Sequence, residues 1–315
     1  MNNYQLNFDG NDKKNSQPLG YVRGGDADGE VLYLNRAEYN AKPQIEKEQI
    51  AILIEKLYRT MNNTLNIKTM ERLKEAILDR KRPSNRELAQ LYDHAIKMLD
   101  SGMNKEVKLG ADGVLTPMFD MTRERSVMMV CGMSGSGKST YVASLCRTYR
   151  KQYPTNKVIL FSNKNSDPVF DSLEFVERVV INDELIKDPL TLLELSNSFV
   201  IYDDVECNPS KEIDKELTRI SDLILQQGRS FKTSFAYVSH QSNNYKATRN
   251  ILNETHSVTI FPALVTRYSL KYLLGNYFGL EKNEIKRIGR LPSRWVTLLK
   301  APTIALYSGG AYLVD

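Results

Sequence analysis

The residues best suited to chemistry lie in one glycine-rich segment, Gly132–Thr140, which reads GMSGSGKST. It matches the pattern G-x-x-x-x-G-K-[ST] and follows the apolar run 127–131. The glycines let the backbone wrap tightly, so that successive N–H groups point inward at phosphate oxygens. The lysine of such a segment reaches the β- and γ-phosphates, and the hydroxyl after it binds Mg²⁺. We therefore predict that this chain binds a nucleoside triphosphate.

The segment supplies all of the predicted nucleotide contacts, with ATP and Mg²⁺ as the expected ligands. Lys138 is assigned to the phosphates and Ser139 to the metal. The stretch 140–150 is predicted to form a helix whose N-terminus places partial positive charge beside the phosphates. The predicted contact residues are Gly132, Met133, Ser134, Gly135, Ser136, Gly137, Lys138, Ser139 and Thr140.

A group of carboxylates follows a second apolar run. Residues 198–202 are mainly apolar, and Asp203, Asp204 and Glu206 come just after them. A buried strand would deliver these side chains at its exposed carboxyl end, as a Walker B strand does. Asp203 is predicted to hold Mg²⁺ together with Ser139. Asp204 is predicted to polarise the attacking water, and Glu206 is the alternative for that role.

Short apolar runs alternate with helical patterns between residues 127 and 261. Strands that are apolar throughout and separated by helices imply a largely parallel sheet with helices on both faces. The predicted fold class is α/β, a P-loop NTPase with an additional N-terminal helical module. Strands are expected near 127–131, 157–162, 179–181, 198–202, 234–239 and 257–261.

The composition predicts three parts. Residues 1–43, rich in Asn, Gly, Asp and Lys, are expected to be a flexible or loosely packed arm with a short strand near 31–33. Residues 44–105 are expected to form a small helical module, because their apolar residues recur at helical spacing. Residues 106–315 are assigned to the P-loop ATPase domain with a basic C-terminal region.

Three local features refine this division. The module is expected to contain a helix over 67–81 and another that begins with a capping box at Ser84 and Glu87. A hairpin is expected around the turn signal at 110–113. The run 163–167, NKNSD, is similar to a guanine-reading motif but misplaced by one residue, so we interpret it as a polar loop.

The composition is typical of a soluble intracellular protein, with 41% hydrophobic and 26% charged residues. No apolar run approaches the roughly 18 residues of a membrane helix, and the polar start is no secretory signal. The three cysteines, Cys131, Cys146 and Cys207, lack metal-ligand spacing. They are expected to be reduced thiols.

The segments after the carboxylates resemble the FtsK–HerA group of DNA-pumping ATPases. Residues 227–243 read QGRSFKTSFAYVSHQSN and residues 251–260 read ILNETHSVTI. Members of that group have a helix ending near Gly-Arg, an apolar strand ending in Ser-Gln or Thr-Gln, and a strand carrying Asn and Thr. These segments are similar to those of the genome-packaging ATPases of large DNA viruses, the poxvirus-type branch. Relatives of that branch end with a strand whose sequence is similar to SRWV, residues 293–296 here. The resemblance covers about residues 125–300.

The resemblance also implies two further roles. The family's sensor glutamine, at the end of the apolar strand, falls on His240 or, with a shift of one residue, on Gln241. An arginine finger that acts on the nucleotide of the neighbouring subunit falls on Arg229 or Arg249.

Basic residues accumulate toward the C-terminus. Residues 246–300 contain ten Lys or Arg against three Glu. Lys282, Lys286 and Arg290 repeat every four residues, so they share one stripe if helical, with Arg287 beside it. Such stripes around a pore would follow DNA phosphates without reading bases.

The motifs predict ATP hydrolysis, and the resemblance implies a motor that couples it to translocation of double-stranded DNA, filling a viral capsid. The expected assembly is a homo-oligomeric ring, with capsid proteins as further partners. A viral motor would act in the host cytoplasm or at the assembly site and could accompany the virion. Two alternatives stay open: a P-loop kinase acting on a small molecule or nucleoside, and a non-motor ATP-dependent switch.

Overall fold

The computed structural model describes residues 4–10, 16–36, 50, 54, 66–79, 81–102, 105–206, 210–240 and 245–314. The chain divides into two compact units. The larger unit comprises residues 6–35 and 107–315, and the smaller one comprises residues 1–5 and 36–106.

The strands of the described part of the chain form two sheets. In chain order they are β1 Tyr4–Asn7, β2 Ser16–Arg23, β3 Val31–Arg36, β4 Glu106–Lys108, β5 Val114–Pro117, β6 Val127–Cys131, β7 Lys157–Ser162, β8 Val176–Val180, β9 Ser198–Asp203, β10 Ser234–Ser239, β11 Ser257–Ile260, β12 Val296–Lys300, β13 Thr303–Tyr307 and β14 Gly310–Leu313.

Two α-helices of the described residues precede β6, and after β6 helices alternate with strands as predicted for residues 127–261. They are α1 Ile67–Leu78, α2 Arg86–Gly102, α3 Lys138–Gln152, α4 Pro168–Asp171, α5 Glu184–Lys187, α6 Lys211–Gln227, α7 Tyr245–Glu254, α8 Arg267–Phe278 and α9 Lys282–Ile288.

The large sheet has the strand order β4-β14-β13-β12-β11-β6-β10-β9-β7-β8. The six strands from β11 to β8 are parallel, whereas β12, β13 and β14 continue the sheet in antiparallel fashion. Every residue of β6, β9 and β10 is buried, as expected of strands covered on both faces. The predicted α/β P-loop fold is confirmed.

Helices cover the sheet on both faces. One face packs on α3, where Val130 and Val238 lie in one core cluster with Val142. The other face packs on α6, where Tyr237 lies in a cluster with Leu217. Because β10 pairs with β6 on one side and β9 on the other, the carboxyl ends of these three strands meet at one edge.

The first strands contradict the predicted flexible arm. Within the described residues of 1–43, β1, β3 and β2 form a four-stranded sheet with β5, in the order β1-β3-β2-β5. Leu6, Leu19, Leu32 and Leu34 are buried. The arm prediction was therefore wrong for these residues, because a few apolar side chains set among many polar ones are enough to build a sheet against β5.

The predicted hairpin around 110–113 is also wrong. A turn does form there, closed by the Gly113 N–H donating to Gly110 O at 3.0 Å. However, β4 belongs to the large sheet and β5 to the small one. The Leu109 and Leu115 N–H groups donate to the carbonyls of Gly309 and Ser308, at 2.9 and 2.8 Å. The flanking backbone is thus hydrogen-bonded to the 308–309 turn, and the two strands do not pair.

The smaller unit contains α1 and α2. Asn85, rather than the predicted Ser84, caps α2, because its Oδ1 accepts the Leu88 N–H at 3.0 Å. The two helices pack through one small core of Ile50, Leu73, Ile77, Tyr92 and Ala95. Most of the helical pattern predicted before residue 62 lies outside the described residues.

Candidate active site

The glycine-rich segment forms a loop between β6 and α3. Gly135 and Gly137 have φ values of 75° and 103°, in the left-handed region that favours glycine. At Gly132 an added Cβ would lie 2.8 Å from Cδ2 of Phe261 and 2.9 Å from the Oγ of Ser136. The motif glycines are therefore required by backbone conformation and by space. Below, this segment is called the phosphate loop.

Lys138 begins α3 and folds back over the phosphate loop. Its side chain is buried, and its Nζ donates to the carbonyls of Gly132, at 2.8 Å, and Met133, at 3.3 Å. Burial lowers the pKa of Lys138, and the carboxylates of Asp204 and Asp203 oppose that effect. The ammonium is thus held at the loop by carbonyl oxygens that a phosphate could replace.

Asp203 ends β9, as the Walker B assignment predicts. It is 1% exposed, and its Oδ2 has no hydrogen-bond partner among the described residues. Burial, and then the neighbouring carboxylate of Asp204, raise the pKa of Asp203 to about 6. A buried carboxylate oxygen without a donor suits a hard cation, and Ser139 in the first turn of α3 offers a hydroxyl oxygen.

The remaining residues of the loop differ in exposure. Met133, Ser134, Gly135 and Thr140 are exposed, and Ser139 is half-buried. The described residues contain no group of three or more His, Cys, Asp or Glu side chains arranged to hold a metal. Mg²⁺ at such a site would accordingly depend on Ser139, Asp203, waters and the phosphates of the nucleotide.

Asp204 lies next to Asp203 in a left-handed conformation, with φ of 55°. Its Oδ2 is 2.7 Å from the Nζ of Lys164, and its backbone carbonyl accepts a hydrogen bond from Asn163 Nδ2 at 3.0 Å. The interaction with Asp204 raises the pKa of Lys164. The loop that the sequence analysis set aside as merely polar therefore lines the site.

His240 follows β10 and lies between Lys138 and Asp204. Its Nδ1 is 3.3 Å from Lys138 Nζ, and its Nε2 is 2.6 Å from Asp204 Oδ1. That second contact is close but poorly aligned, since Oδ1 has no hydrogen-bond partner by geometry. A ring protonated at Nε2 presents its proton to the carboxylate and its Nδ1 lone pair to the ammonium. Gln241, the alternative sensor, lies outside the described residues.

Glu206 is directed away from this group. Its Oε1 accepts hydrogen bonds from the Tyr237 hydroxyl, at 3.0 Å, and the Ser239 hydroxyl, at 2.7 Å. Tyr237 packs in the cluster on the α6 face of the sheet, opposite α3. Glu206 also lines a cavity of about 350 Å³ on that face. Of the two candidate bases, Asp204 is the one that lies beside His240, the neighbour of Lys138.

The two candidate arginine fingers, Arg229 and Arg249, lie on different elements. Arg229 precedes β10 and pairs with Glu124, which precedes β6. Both residues therefore lie at the amino ends of the strands, the edge opposite the phosphate loop. Arg249 is exposed on α7.

Arg294 is a site residue to which the sequence analysis assigned no role. Its Nε donates to the carbonyl of Ser136 at 2.9 Å, and its Nη2 donates to that of Gly135 at 3.3 Å. The only sequence signal was its place in the 293–296 segment that the family resemblance singled out.

The basic residues near the C-terminus are only partly arranged as predicted. Lys282 and Lys286 are exposed on α9, one turn apart. Arg290 is exposed too, but it follows the end of the helix instead of extending its stripe. The guanidinium of Arg287 stacks over the ring of Tyr312, 3.7 Å from its centroid. The continuous helical stripe was therefore wrong, although four exposed cations, Arg287 included, do lie between residues 282 and 290.

Among the helices of the described residues, none is both long enough and apolar enough to cross a membrane.

Solved structures that resemble the chain include genome-packaging NTPases and a conjugation coupling protein. The packaging NTPase B204 of Sulfolobus turreted icosahedral virus 2, in complex with AMPPCP, is 12% identical, with a TM-score of 0.39 over 57% of this chain and 94% of B204. The pCW3 conjugation coupling protein TcpA is 11% identical, with a TM-score of 0.43 over 95% of this chain and 78% of TcpA. At scores below 0.5, nothing about the activity of this chain follows from them.

Sequence comparison is more specific. No protein-family model matches the sequence. The uncharacterized protein V3 of Sputnik virophage is 36% identical over 215 residues, which cover 67% of this chain and 85% of V3. With that identity over most of the relative, the chain belongs to the same family as V3 of Sputnik virophage.

Proposed function

We propose that this protein is a Mg²⁺-dependent ATPase that translocates double-stranded DNA during viral genome packaging. The observation that carries the hydrolytic part is the group formed by Lys138, Asp203, Asp204 and His240 at the carboxyl edge of the sheet. A phosphate loop alone would only hold a nucleotide. A carboxylate linked through an imidazole to the phosphate-binding lysine adds a means of placing the attacking water.

Ser139 and Asp203 are the residues that would hold Mg²⁺. When bound, the metal neutralises charge on the phosphates during transfer. Lys138 contributes a second positive charge, because its ammonium can exchange the loop carbonyls for phosphate oxygens. Both charges act in a buried site, where electrostatic stabilisation is stronger than in water.

Asp204 is our choice for the residue that orients the water and accepts its proton. The Nζ of Lys164 lies 2.7 Å from one oxygen of the Asp204 carboxylate, and the Nε2 of His240 lies 2.6 Å from the other. Glu206 is the weaker candidate, because its carboxylate is already held by two hydroxyl groups on the α6 face. His240 is our choice for the γ-phosphate sensor. A bound nucleotide that draws the Lys138 ammonium to its phosphates would remove one of the two neighbours of His240 and leave the other, Asp204. Gln241 remains the alternative sensor.

The DNA part of the proposal rests on the FtsK–HerA resemblance and on the exposed cations Lys282, Lys286 and Arg290. Arg287 would contribute less, because its guanidinium is stacked on Tyr312. Membership in a family with a virophage protein supports a viral source, and with it capsid proteins as partners. Arg229 lies far along the strands from its own phosphate loop, so as a finger it would act, like Arg249, on a neighbouring subunit in a ring.

The test of the activity is the ATPase rate with and without long double-stranded DNA. We expect stimulation by DNA in the wild type and a loss of about 10²-fold or more in Lys138→Ala. Lys215→Ala, on the exposed side of α6, is the matched control and should behave as the wild type. Turnover that requires a nucleoside acceptor, or DNA that leaves the rate unchanged, would contradict the motor.

A second measurement tests the DNA contact separately. The double variant Lys282→Glu, Lys286→Glu should weaken binding and make the plot of log K against log salt less steep by about two, one for each lost phosphate contact. The control double variant Lys187→Glu, Lys215→Glu changes the net charge equally at exposed positions elsewhere. Equal slopes for the two double variants would rule out α9 as the DNA-binding element.

A further inference from the structure

We propose that Arg294 is a positioning residue that prepares the phosphate loop for the nucleotide by fixing and polarising two of its peptide units. The proposal rests on the nucleotide site described above, and it does not depend on DNA. Two neighbouring donors of one guanidinium hold two consecutive carbonyls, Gly135 O and Ser136 O. A planar guanidinium suits this two-pronged contact, which the single ammonium of a lysine cannot reproduce.

The chemistry follows from the peptide units that these carbonyls belong to. The carbonyl of Gly135 shares a planar unit with the N–H of Ser136, and the carbonyl of Ser136 shares one with the N–H of Gly137. In a trans peptide the C=O and N–H bonds point in opposite directions. Holding both oxygens on the outside of the loop therefore directs both N–H groups to the inside, where phosphate oxygens bind.

A cation on a carbonyl oxygen also makes the N–H of the same unit a stronger donor, because hydrogen bonds in a chain polarise one another. The Ser136 N–H now donates to Met133 O at 3.2 Å, a long bond within the loop. A phosphate oxygen would be a better acceptor for such a polarised N–H, since bonds to charged acceptors are shorter and stronger.

The loop is shaped to receive the guanidinium. An added Cβ on Gly137 would lie 3.0 Å from the Nε of Arg294 and 3.3 Å from its Cζ. Only a glycine leaves room for this approach without a shift, in addition to its φ of 103°. Gly137 thus has two reasons to be glycine, and one of them is Arg294.

The backbone around Arg294 is anchored on both sides. The Ser293 hydroxyl donates to Trp295 O at 2.6 Å and accepts the Ser308 N–H at 3.0 Å. The Trp295 ring packs against Tyr141 of α3, with 5.2 Å between the ring centroids. The segment that carries the guanidinium is therefore packed against α3, the helix that follows the phosphate loop. A positioning role requires such a fixed support.

The test compares the affinities of ATP and AMP in the wild type and in Arg294→Ala, Arg294→Gln and Arg294→Lys. Loop N–H groups directed at several phosphate groups should contribute more to the affinity of ATP than to that of AMP, which has a single phosphate. We expect the ratio of the ATP to the AMP affinity to fall about tenfold in Arg294→Ala and Arg294→Gln, and by an intermediate factor in Arg294→Lys. KM for ATP should rise more than kcat falls.

Arg147→Ala, an exposed arginine on α3, is the matched control and should keep the wild-type ratio. A purely structural staple would lower the thermal stability and reduce both affinities by the same factor, and that result would overturn the proposal, as would unchanged affinities. If Arg294→Ala does not fold, the ratio is measured in Arg294→Gln, where the tenfold fall is expected, and in Arg294→Lys, where the intermediate fall is expected. A wild type that binds no ATP would overturn the nucleotide site and this proposal together, whereas absent DNA stimulation would affect only the motor.

Discussion

The two edges of the parallel sheet use charged side chains in opposite ways. At the amino edge, charges complete the backbone: Arg125 donates to the carbonyls of Ile224 and Leu225 at the end of α6. A neutral imidazole acts at the same edge, where His256 Nδ1 accepts the Val127 N–H at 3.0 Å. The Leu225 carbonyl and the Val127 N–H thereby gain a side-chain partner, and the Ile224 carbonyl gains a second donor beside the Gly228 N–H at 2.9 Å.

At the carboxyl edge, charges compete with one another. Asp203 is buried with one oxygen unpaired, and Asp204 beside it is shared between Lys164 and His240. Lys138 is buried against carbonyls although burial lowers its pKa. Such an arrangement costs stability, and groups of this kind cluster where a ligand completes the site. The amino edge therefore stabilises the fold, whereas the carboxyl edge carries the unpaired and closely spaced charges on which the proposed nucleotide site rests.

Of the substitutions that would test this difference between the two edges, Asp203→Asn is expected to have the largest effect. Asp203→Asn should lower the ATPase rate by about 10²-fold or more, because a neutral amide is a poor ligand for Mg²⁺. The same change should raise the free energy of unfolding of the nucleotide-free protein by about 1–3 kcal/mol, because it removes a buried carboxylate without a donor. Steady-state turnover and chemical denaturation without Mg²⁺ measure the two effects.

Arg125→Ala is the contrasting variant at the amino edge. It removes the side-chain donor of the Leu225 carbonyl and one of the two donors of the Ile224 carbonyl, so it should lower the free energy of unfolding by about 1–3 kcal/mol. Its rate per folded molecule should stay near that of the wild type. A loss of stability in Asp203→Asn equal to that in Arg125→Ala would remove the distinction between the edges.

A smaller effect is expected from pH at His256. Burial, and then the charges of Arg123 and Arg125, lower the pKa of His256 to about 4, against 6.5 for the free side chain. Since the unfolded chain binds this proton more readily, the stabilising contribution is complete above pH 6.5 and is lost as the pH falls toward 4. After allowance for partial exposure, the loss should be about 2 kcal/mol.

His256→Asn provides the control for that measurement, because the amide oxygen can accept the Val127 N–H without titrating. Denaturation curves between pH 4 and 7.5 should show a smaller acid loss for the variant than for the wild type. Parallel curves would mean that His256 does not set the acid sensitivity of the amino edge.

Much of the fold could be predicted from local patterns. The buried strands β6, β9 and β10 are continuous apolar runs, and the glycine spacing of the phosphate loop is itself a conformational requirement. A short strand was expected near 31–33, within β3, but β1 and β2 were missed because leucines such as Leu6 and Leu19 are separated by polar residues, so neither a helical nor a strand period is evident. The hairpin at 110–113 was wrong because its backbone partners lie nearly 200 residues later along the chain, as the Leu109 to Gly309 hydrogen bond shows.

The site divides in the same way. Lys138 and Asp203 could be found because each belongs to a short motif. Lys164 and Arg294 could not, because strand order brings them to the site from loops distant in sequence. The contact of β7 with β9 places Lys164 beside Asp204, and the turn before β12 places Arg294 on the phosphate loop. Neither the hydrophobic periodicity nor the motif spacing of the sequence predicts contacts of this kind between distant loops.

The central claim is that the strained charges of the carboxyl edge form a site for a nucleoside triphosphate. Calorimetric titration of MgATP into the wild type, Lys138→Ala and Arg125→Ala tests it most directly. We predict saturable binding, one nucleotide per chain, by the wild type and by Arg125→Ala, with an affinity at least tenfold lower in Lys138→Ala. Equal affinity in Lys138→Ala, or no binding by the wild type, would contradict the claim.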